Sequence, residues 1–254
     1  MRHFKNPLKR GRCINRWYVS MLVLLLLPPV LACAHYAVFP EATRSILIDY
    51  SAFQKQGEVY FSPTTPEALR QTMLQTIGLA NARVTTFWGS KLSHPKIIFC
   101  ETDEAYQTYG NKFGTPAANH LNLFGSYIVV SKDGLDFDII AHEICHAELQ
   151  QRIGWRRREF KIPAWFDEGL AMQVDERAKY SEASWQQEIA KGIKPPDLQQ
   201  LKKINQFATG TADEVRINYT TAKHEISRWM TNEKLAIFIE RIKHGDTFEQ
   251  AYKP

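Results

Sequence analysis

The sequence predicts an α+β fold in which a small mixed sheet precedes a mostly helical half. Short apolar segments typical of strands occur only before Asp136, and apolar residues at helical spacing dominate after it. The 254 residues are 44% hydrophobic and 23% charged, as in an ordinary globular protein of one or two domains. This composition excludes a disordered, collagen-like or multi-span membrane chain.

The positive charge of the chain is concentrated at its N-terminus. Six basic residues precede the first apolar run, namely Arg2, Lys5, Lys9, Arg10, Arg12 and Arg16. Subtracting their charge from the net +5 leaves −1 for residues 17–254. A nucleic-acid-binding domain needs its basic surface on the folded part, so nucleic acid is not an expected partner.

Residues 17–39 form one long apolar run, WYVSMLVLLLLPPVLACAHYAVF. As a helix, these 23 residues would extend about 34 Å, which exceeds the roughly 30 Å core of a bilayer. Residues 1–16 then form a basic cytoplasmic head. We predict an uncleaved signal anchor that crosses the inner (cell) membrane once and leaves the body on the periplasmic, extracytoplasmic side. Two alternatives stay open: a cleaved secretory signal at Ala32-Cys33-Ala34 and a lipoprotein signal ending at Cys33.

The body starts with a connector, residues 40–57, and continues with short strands and helices. We predict a strand at 58–61, a helix opened by Thr65-Pro66-Glu67, a buried strand at 96–100, a helix at 102–109 capped by Thr102, a loop at 110–122 and a strand at 123–131. The body has two cysteines, Cys100 and Cys145. They could form one disulfide in an oxidising compartment or stay as two buried thiols.

A metal-binding motif follows the last predicted strand. Residues 142–146, His-Glu-Ile-Cys-His, match H-E-x-x-H. On a helix the two histidines lie one turn apart on the same face and can bind one zinc ion. Glu143 borders that face and is placed to accept a proton from an activated water. Asp136 or Asp138 caps the predicted helix, and an apolar stripe supports it, namely Phe137, Ile140, Ile144 and Ala147.

A third ligand is predicted from the segment PAWFDEGLA, residues 163–171. Pro163 suits a helix start, and Glu168 follows His146 after 21 intervening residues. Two histidines and one glutamate leave a fourth coordination position for water, as in catalytic zinc sites. Asp167 is either an acceptor that orients a ligand histidine or a simple helix-terminus charge.

The two segments together resemble the gluzincin peptidases, the clan of thermolysin and aminopeptidase N. More closely, they resemble bacterial membrane-anchored peptidase-MA-like proteins. The resemblance runs from about residue 58 to the C-terminus and includes the strand at 127–131, residues 198–201 and the closing segment KLAIFIERIKHGDTFEQAY. It implies a metallopeptidase-like domain over residues 58–254, with zinc bound by His142, His146 and Glu168, and with Glu143 as the catalytic base.

The resemblance also assigns a role to Tyr219, which would open a late helix and stabilise the tetrahedral intermediate. A looser candidate for the same role is His224, five residues further on. The chain departs from aminopeptidases because it has no G-x-M-E-N segment, so recognition of a free substrate N-terminus is not implied. Ordinary helix packing is the alternative for both residues, because Ile217, Ala222, Ile226 and Trp229 make that helix amphipathic.

The function expected from these features is hydrolysis of peptide or protein substrates by a membrane-tethered zinc peptidase. The alternatives are a catalytically silent binding or chaperone-like module at the cell envelope and a membrane structural protein with a fortuitous motif. Strand 123–131 is expected to bind an extended substrate by strand addition. A basic loop between the ligand helices, comprising Arg152, Arg156, Arg157, Arg158 and Lys161, is either solvated or a contact for anionic lipid or acidic substrate.

Overall fold

The computed structural model describes residues 16–253. Apart from Arg16, the predicted head at 1–16 lies outside these residues. The fold is α+β, with a small mixed sheet and a mostly helical remainder, as predicted. The five strands are β1 (Gln54–Gln56), β2 (Val59–Phe61), β3 (Lys96–Cys100), β4 (Ala117–Asn122) and β5 (Gly125–Ser131). Their order is β1-β2-β3-β5-β4; β2, β3 and β5 are parallel, and both edge strands are antiparallel to their neighbours.

Helices precede, connect and follow these strands. They are α1 (Arg16–Val38), α2 (Pro40–Ile46), α3 (Glu67–Trp88), α4 (Asp103–Tyr109), α5 (Phe137–Ile153), α6 (Trp155–Lys161), α7 (Ala164–Ala171), α8 (Glu182–Ala190), α9 (Ile204–Phe207), α10 (Ala212–Trp229), α11 (Asn232–His244) and α12 (Phe248–Ala251). Short 3₁₀ turns lie at Ile48–Tyr50, Lys132–Gly134, Met172–Val174, Ala178–Tyr180 and Leu198–Gln200. The long helices after β5 form the half of the domain that carries the metal motif.

The N-terminal part contains more regular structure than the predicted connector at 40–57. Both α2 and β1 lie within it. α2 attaches to the end of α4, where Arg44 Nη1 donates to the Thr108 carbonyl oxygen at 3.2 Å and Ser45 Oγ donates to the Tyr109 carbonyl oxygen at 2.9 Å. None of the helices among residues 16–253 combines the length and the apolar character needed to cross a bilayer.

Helix α5 joins two hydrophobic cores. Its N-terminal half contributes Ile140 and Ile144 to the core between the sheet and α3, and its C-terminal half contributes Leu149 and Ile153 to the core of the helical half. Of the predicted apolar stripe, Ile140, Ile144 and Ala147 are fully buried, and Phe137 is half-buried against the first core. Of the two proposed caps, Asp136 is the one that accepts the backbone N–H groups of Asp138 and Ile139. The metal motif therefore lies on a helix that is fixed at both ends.

The predicted loop at 110–122 and strand at 123–131 are partly wrong. Residues 117–122 form the edge strand β4, and Leu123 and Phe124 form the turn that leads into β5. The sequence Ala-Ala-Asn-His-Leu-Asn of β4 has weak intrinsic strand preference, and pairing with the apolar β5 supplies the missing stabilisation. β5 lies between β3 and β4, so the free strand edge belongs to β4 and not to the segment expected to bind substrate.

The predicted basic loop is also wrong. Residues 155–161 form helix α6, and Arg152 belongs to α5. Arg157 Nη2 and Lys161 Nζ donate to the carbonyl oxygens of Lys243 and Gly245 at 3.0 and 2.6 Å. These carbonyls lie at the C-terminal end of α11, where the helix dipole favours positive charge. Two cations of this segment thus stabilise the packing of α6 against α11.

The position of Tyr219 in its helix differs from the expectation. Tyr219 does not open a helix but lies inside α10, because Thr211 and Glu214 form a capping box that begins the helix at Ala212. The four apolar residues predicted for its buried face, Ile217, Ala222, Ile226 and Trp229, are all buried.

Cys100 and Cys145 are both buried free thiols. Burial raises the pKa of the Cys100 thiol to about 12, so it is not a reactive thiolate at neutral pH.

The contact between α7 and α10 depends on Gly169. A Cβ at this position would lie 2.7 Å from the Ala222 carbonyl oxygen and 2.8 Å from the Ile226 side chain. We expect Gly169→Ala to lower the free energy of unfolding by about 1–3 kcal/mol, because the helices must move apart. The measurement is urea unfolding of the purified protein.

Gly78 provides the matched control. It is exposed within α3, and a Cβ there would meet nothing within 4 Å. Gly78→Ala should raise the free energy of unfolding by about 0.5–1 kcal/mol, since alanine loses less conformational entropy in a helix. Equal effects of the two substitutions would contradict the close helix contact.

Candidate metal centre

Helix α5 places two imidazoles side by side in the interior of the domain. His142 and His146 are 7% and 5% exposed. Their Nε2 atoms lie 3.1 Å apart. The i, i+4 spacing gives this arrangement on one helix face, because both side chains project from successive turns. The buried stripe on the other side of α5 fixes the direction in which the two rings point.

Helix α7 brings the predicted third ligand to the same point. Its Pro163 N-cap begins the helix, and Trp165 and Phe166 are buried against the second core. Glu168 is 9% exposed, and its Oε2 lies 3.2 Å from His142 Nε2 and 3.5 Å from His146 Nε2. The structure therefore brings together all three residues predicted as ligands. They form a three-member donor group in which each residue offers one atom to a common point.

The spacing of the three donor atoms fits zinc. Ligands bound at 2.0–2.1 Å with tetrahedral angles lie about 3.3 Å from one another. The observed separations of 3.1, 3.2 and 3.5 Å match one face of such a tetrahedron. Two imidazole nitrogens and one carboxylate oxygen are also the donor set of catalytic zinc sites, in which the fourth position is open.

Asp167 fixes one of the rings from the other side. Its Oδ1 lies 2.8 Å from Nδ1 of His146, so a proton on Nδ1 is donated to the carboxylate and Nε2 points toward the donor group. The other carboxylate oxygen, Oδ2, lies 2.5 Å from Nη2 of Arg158. Of the two roles considered for Asp167, the structure agrees with the first, because its carboxylate contacts the ring of His146. Arg158 was not anticipated, because an ion pair across two helices leaves no signal in the sequence.

The electrostatics of the centre favour bound positive charge. Burial lowers the pKa of His146, but the carboxylates of Asp167 and Glu168 raise it by more, so its pKa lies well above the usual range. Burial raises the pKa of Glu168, and the imidazoles of His146 and His142 outweigh this, so its pKa lies well below the usual range. Glu168 is therefore a buried carboxylate that remains ionised at neutral pH, which is what a divalent cation requires of its ligand.

The donor group lies in the wall of a cavity of about 730 Å³. Glu143, half-buried, lines the same cavity, and so does the edge strand β4 through Ala117, Ala118 and Asn119. Asn119 Nδ2 donates to the backbone carbonyl oxygen of Glu143 at 2.9 Å. This bond fixes the position of the edge strand against the helix that carries the motif. β4 and Asn119 were missed in the sequence, because the segment has no clear strand periodicity.

Tyr219 reaches the centre from α10. Its ring centroid lies 6.3 Å from that of His142, and it lines the same cavity as Glu168. Burial raises the pKa of Tyr219 well above the usual range, and the charges of Glu168 and Glu143 raise it further. The phenol therefore keeps its proton and is a hydrogen-bond donor inside the cavity. The prediction that Tyr219 belongs to the site agrees with this placement.

His224 lies elsewhere. Its ring stacks on Trp185 with a centroid distance of 3.7 Å, and its Nδ1 lies 2.8 Å from Glu182 Oε2. His224 is not among the residues that line the metal cavity. The alternative of ordinary helix packing therefore describes His224, whereas Tyr219 lines the cavity beside the donor group.

Comparison of the chain with protein-family models, with curated proteins and with solved structures finds no match.

Proposed function

We propose that the protein is a zinc-dependent peptidase of the gluzincin type that hydrolyses peptide bonds in peptide or protein substrates. The observation that carries this proposal is the convergence of His142 Nε2, His146 Nε2 and Glu168 Oε2 at mutual distances of 3.1–3.5 Å beside an open cavity. Glu143 lines that cavity one residue after the first ligand, where a general base is needed. Three ligands and an adjacent carboxylate fit hydrolysis better than a closed structural metal site.

A zinc ion bound to the three ligands would supply a Lewis acid that polarises the scissile carbonyl group and lowers the pKa of an attacking water toward 7. Glu143 would accept the proton of that water and deliver it to the leaving amine. Its side chain is half-buried, so it is shielded and still reachable from the cavity. Asp167 would hold His146 in the tautomer that donates its Nε2 lone pair.

Tyr219 would stabilise the negative charge that develops on the substrate carbonyl oxygen. The phenol is a preformed donor because its raised pKa keeps it protonated at neutral pH. A donor aimed at the developing oxyanion contributes several kcal/mol to transition-state stabilisation in comparable sites.

An extended substrate would bind along β4. This strand pairs with β5 on one side and is at the end of the sheet on the other. It lines the cavity through four of its residues, Ala117, Ala118, Asn119 and Leu121. A peptide added to the free edge forms main-chain hydrogen bonds that do not depend on its sequence. Such binding would carry the scissile bond past Glu143, because Asn119 is bonded to the backbone of that residue.

The proposed location is the periplasmic, extracytoplasmic side of the inner membrane. It is based on the sequence, in which six basic residues precede the apolar run at 17–39. An uncleaved anchor, a cleaved signal and a lipoprotein signal lead to the same side of the membrane. The substrate would then be an envelope or extracellular polypeptide.

The direct test is digestion of an unstructured protein in the presence and absence of a metal chelator. We expect zinc-loaded protein to carry about one zinc per chain and to cleave the substrate. Chelation should abolish cleavage, and added zinc should restore it. Protein that binds one zinc per chain without cleaving a broad peptide library would instead indicate a catalytically silent binding module.

A further inference from the structure

One part of the cavity wall carries clustered positive charge. Arg158 on α6 and the pair Lys202 and Lys203, just before α9, all line the metal cavity. The segment bearing the lysines is fixed to the start of α7, because the Lys202 carbonyl oxygen accepts the backbone N–H of Ala164 at 2.9 Å. Three cations are thus held beside the helix that carries Glu168.

The charges of this cluster are only partly compensated. The side chain of Lys202 is 51% exposed and lies 3.7 Å from Glu249, which is itself 67% exposed, and such a surface pair contributes little. Lys203 is exposed, and it has no ion-pair partner among the described residues. Four carboxylates line the same cavity, those of Glu143, Glu159, Asp167 and Glu168, and among the described ion pairs only Asp167 of these four is paired with one of the three cations. Two lysines therefore remain available to a ligand.

Arg158 connects this cluster with the metal centre. Its guanidinium has five N–H donors, and one nitrogen is engaged by Asp167, the acceptor for His146. A second nitrogen, Nε, is buried and has no hydrogen-bond partner among the described residues. Arg158 thus connects the cationic residues of the cavity lining with the acceptor that holds His146.

We propose that Arg158, Lys202 and Lys203 form a subsite for a carboxylate of the bound peptide, and thereby give the enzyme a preference for acidic substrates. This inference rests on the proposed peptidase function. The carboxylate comes either from the free C-terminus of the substrate or from an aspartate or glutamate side chain near the scissile bond. Both sources offer the same planar anion, which Arg and Lys recognise through charge-assisted hydrogen bonds.

The test uses equilibrium binding, so that it does not depend on turnover. The Glu143→Gln protein is titrated with four peptides that share one apolar sequence. The first two differ at the C-terminus, which is either free or amidated. The other two are both amidated and carry either an internal Glu or an internal Gln. We expect at least one carboxylate peptide to bind about five- to tenfold more tightly than its neutral counterpart. The peptide that shows the preference identifies the source of the carboxylate.

The lysine dependence is measured in the Lys202→Gln/Lys203→Gln double variant. Its matched control is Lys194→Gln/Lys234→Gln, which removes the same charge from exposed positions that do not line the cavity. Only the Lys202→Gln/Lys203→Gln variant should lose the preference for carboxylate peptides. In the protein without these lysine substitutions, 1 M salt should reduce the preference, because the Debye length falls to about 3 Å. The titrations are repeated with chelator, which separates binding to the lysines from binding to zinc.

The outcomes separate this inference from the proposed function. Equal binding of charged and neutral peptides, or equal loss in both double variants, overturns the carboxylate subsite even if the enzyme cleaves peptides. A lysine-dependent preference in a protein that neither binds zinc nor cleaves supports the subsite and refutes the peptidase. Cleavage together with the preference supports both.

Discussion

Glu143→Gln is expected to abolish peptide hydrolysis while leaving the metal in place. The glutamine keeps the size of the side chain and the helix, but it cannot accept a proton from the attacking water. General base catalysis contributes about 10²–10⁴ to the rate, so kcat should fall by that factor. The zinc content should stay unchanged, because Glu143 is not one of the three converging donors. The measurements are kcat on a peptide substrate and metal content by elemental analysis.

The control for this variant is Glu159→Gln. Glu159 lines the same cavity, is exposed, and is not close to the donor group by any observed contact. The substitution changes the charge of the cavity in the same way and should leave kcat nearly unaltered. Comparable losses in both variants would mean that cavity charge, and not proton transfer by Glu143, controls the rate. Full activity of Glu143→Gln would eliminate it as the base.

Glu168→Ala is expected to remove zinc from the protein. The substitution deletes one of three ligands and the buried charge that balances the cation. Loss of an outer-shell partner typically costs about 10–100-fold in metal affinity, and loss of a ligand should cost more. Zinc affinity, measured by competition with a chromogenic chelator, should therefore fall by more than about 100-fold. Zinc should raise the Tm of the parent protein by mass action and leave that of the variant unchanged.

Two further substitutions calibrate this result. Asp167→Ala removes the acceptor of His146 Nδ1 and should weaken zinc binding by about 10–100-fold. Glu159→Ala removes a cavity carboxylate that is not a ligand and should leave zinc affinity unchanged. Circular dichroism establishes that each variant is folded. Undiminished zinc binding by folded Glu168→Ala would contradict the three-ligand centre and the function proposed from it.

The convergence of His142, His146 and Glu168 was predictable because much of it depends on local rules. Two histidines four residues apart on a helix must share a face, and the apolar spacing of Ile140, Ile144 and Ala147 showed which face is buried. Glu168 was recognisable from its position in a short apolar segment after a proline. Its contact with the histidines follows from the packing of α7 between α5 and α10, for which Gly169 provides the space.

The surroundings of the centre were predictable only in part. The segment 117–122 has no marked strand preference and becomes a strand by pairing with β5, so neither the edge strand nor Asn119 could be inferred. The cations of residues 152–161 looked like a solvated loop. Their roles depend on acceptors in other helices, namely Asp167 in α7 and the carbonyls at the end of α11.

By itself, the sequence determined the α+β class, the helix that carries the H-E-x-x-H motif and the three side chains that converge beside the cavity. Helical periodicity and residue chemistry act over a few neighbouring positions and can be read from the order of residues. The tertiary structure decided which strand edge borders the cavity, that Arg158 and Asp167 support His146, and that Lys202 and Lys203 line the cavity wall. These features arise from contacts between elements distant in the chain, and no local pattern records which distant surfaces will meet.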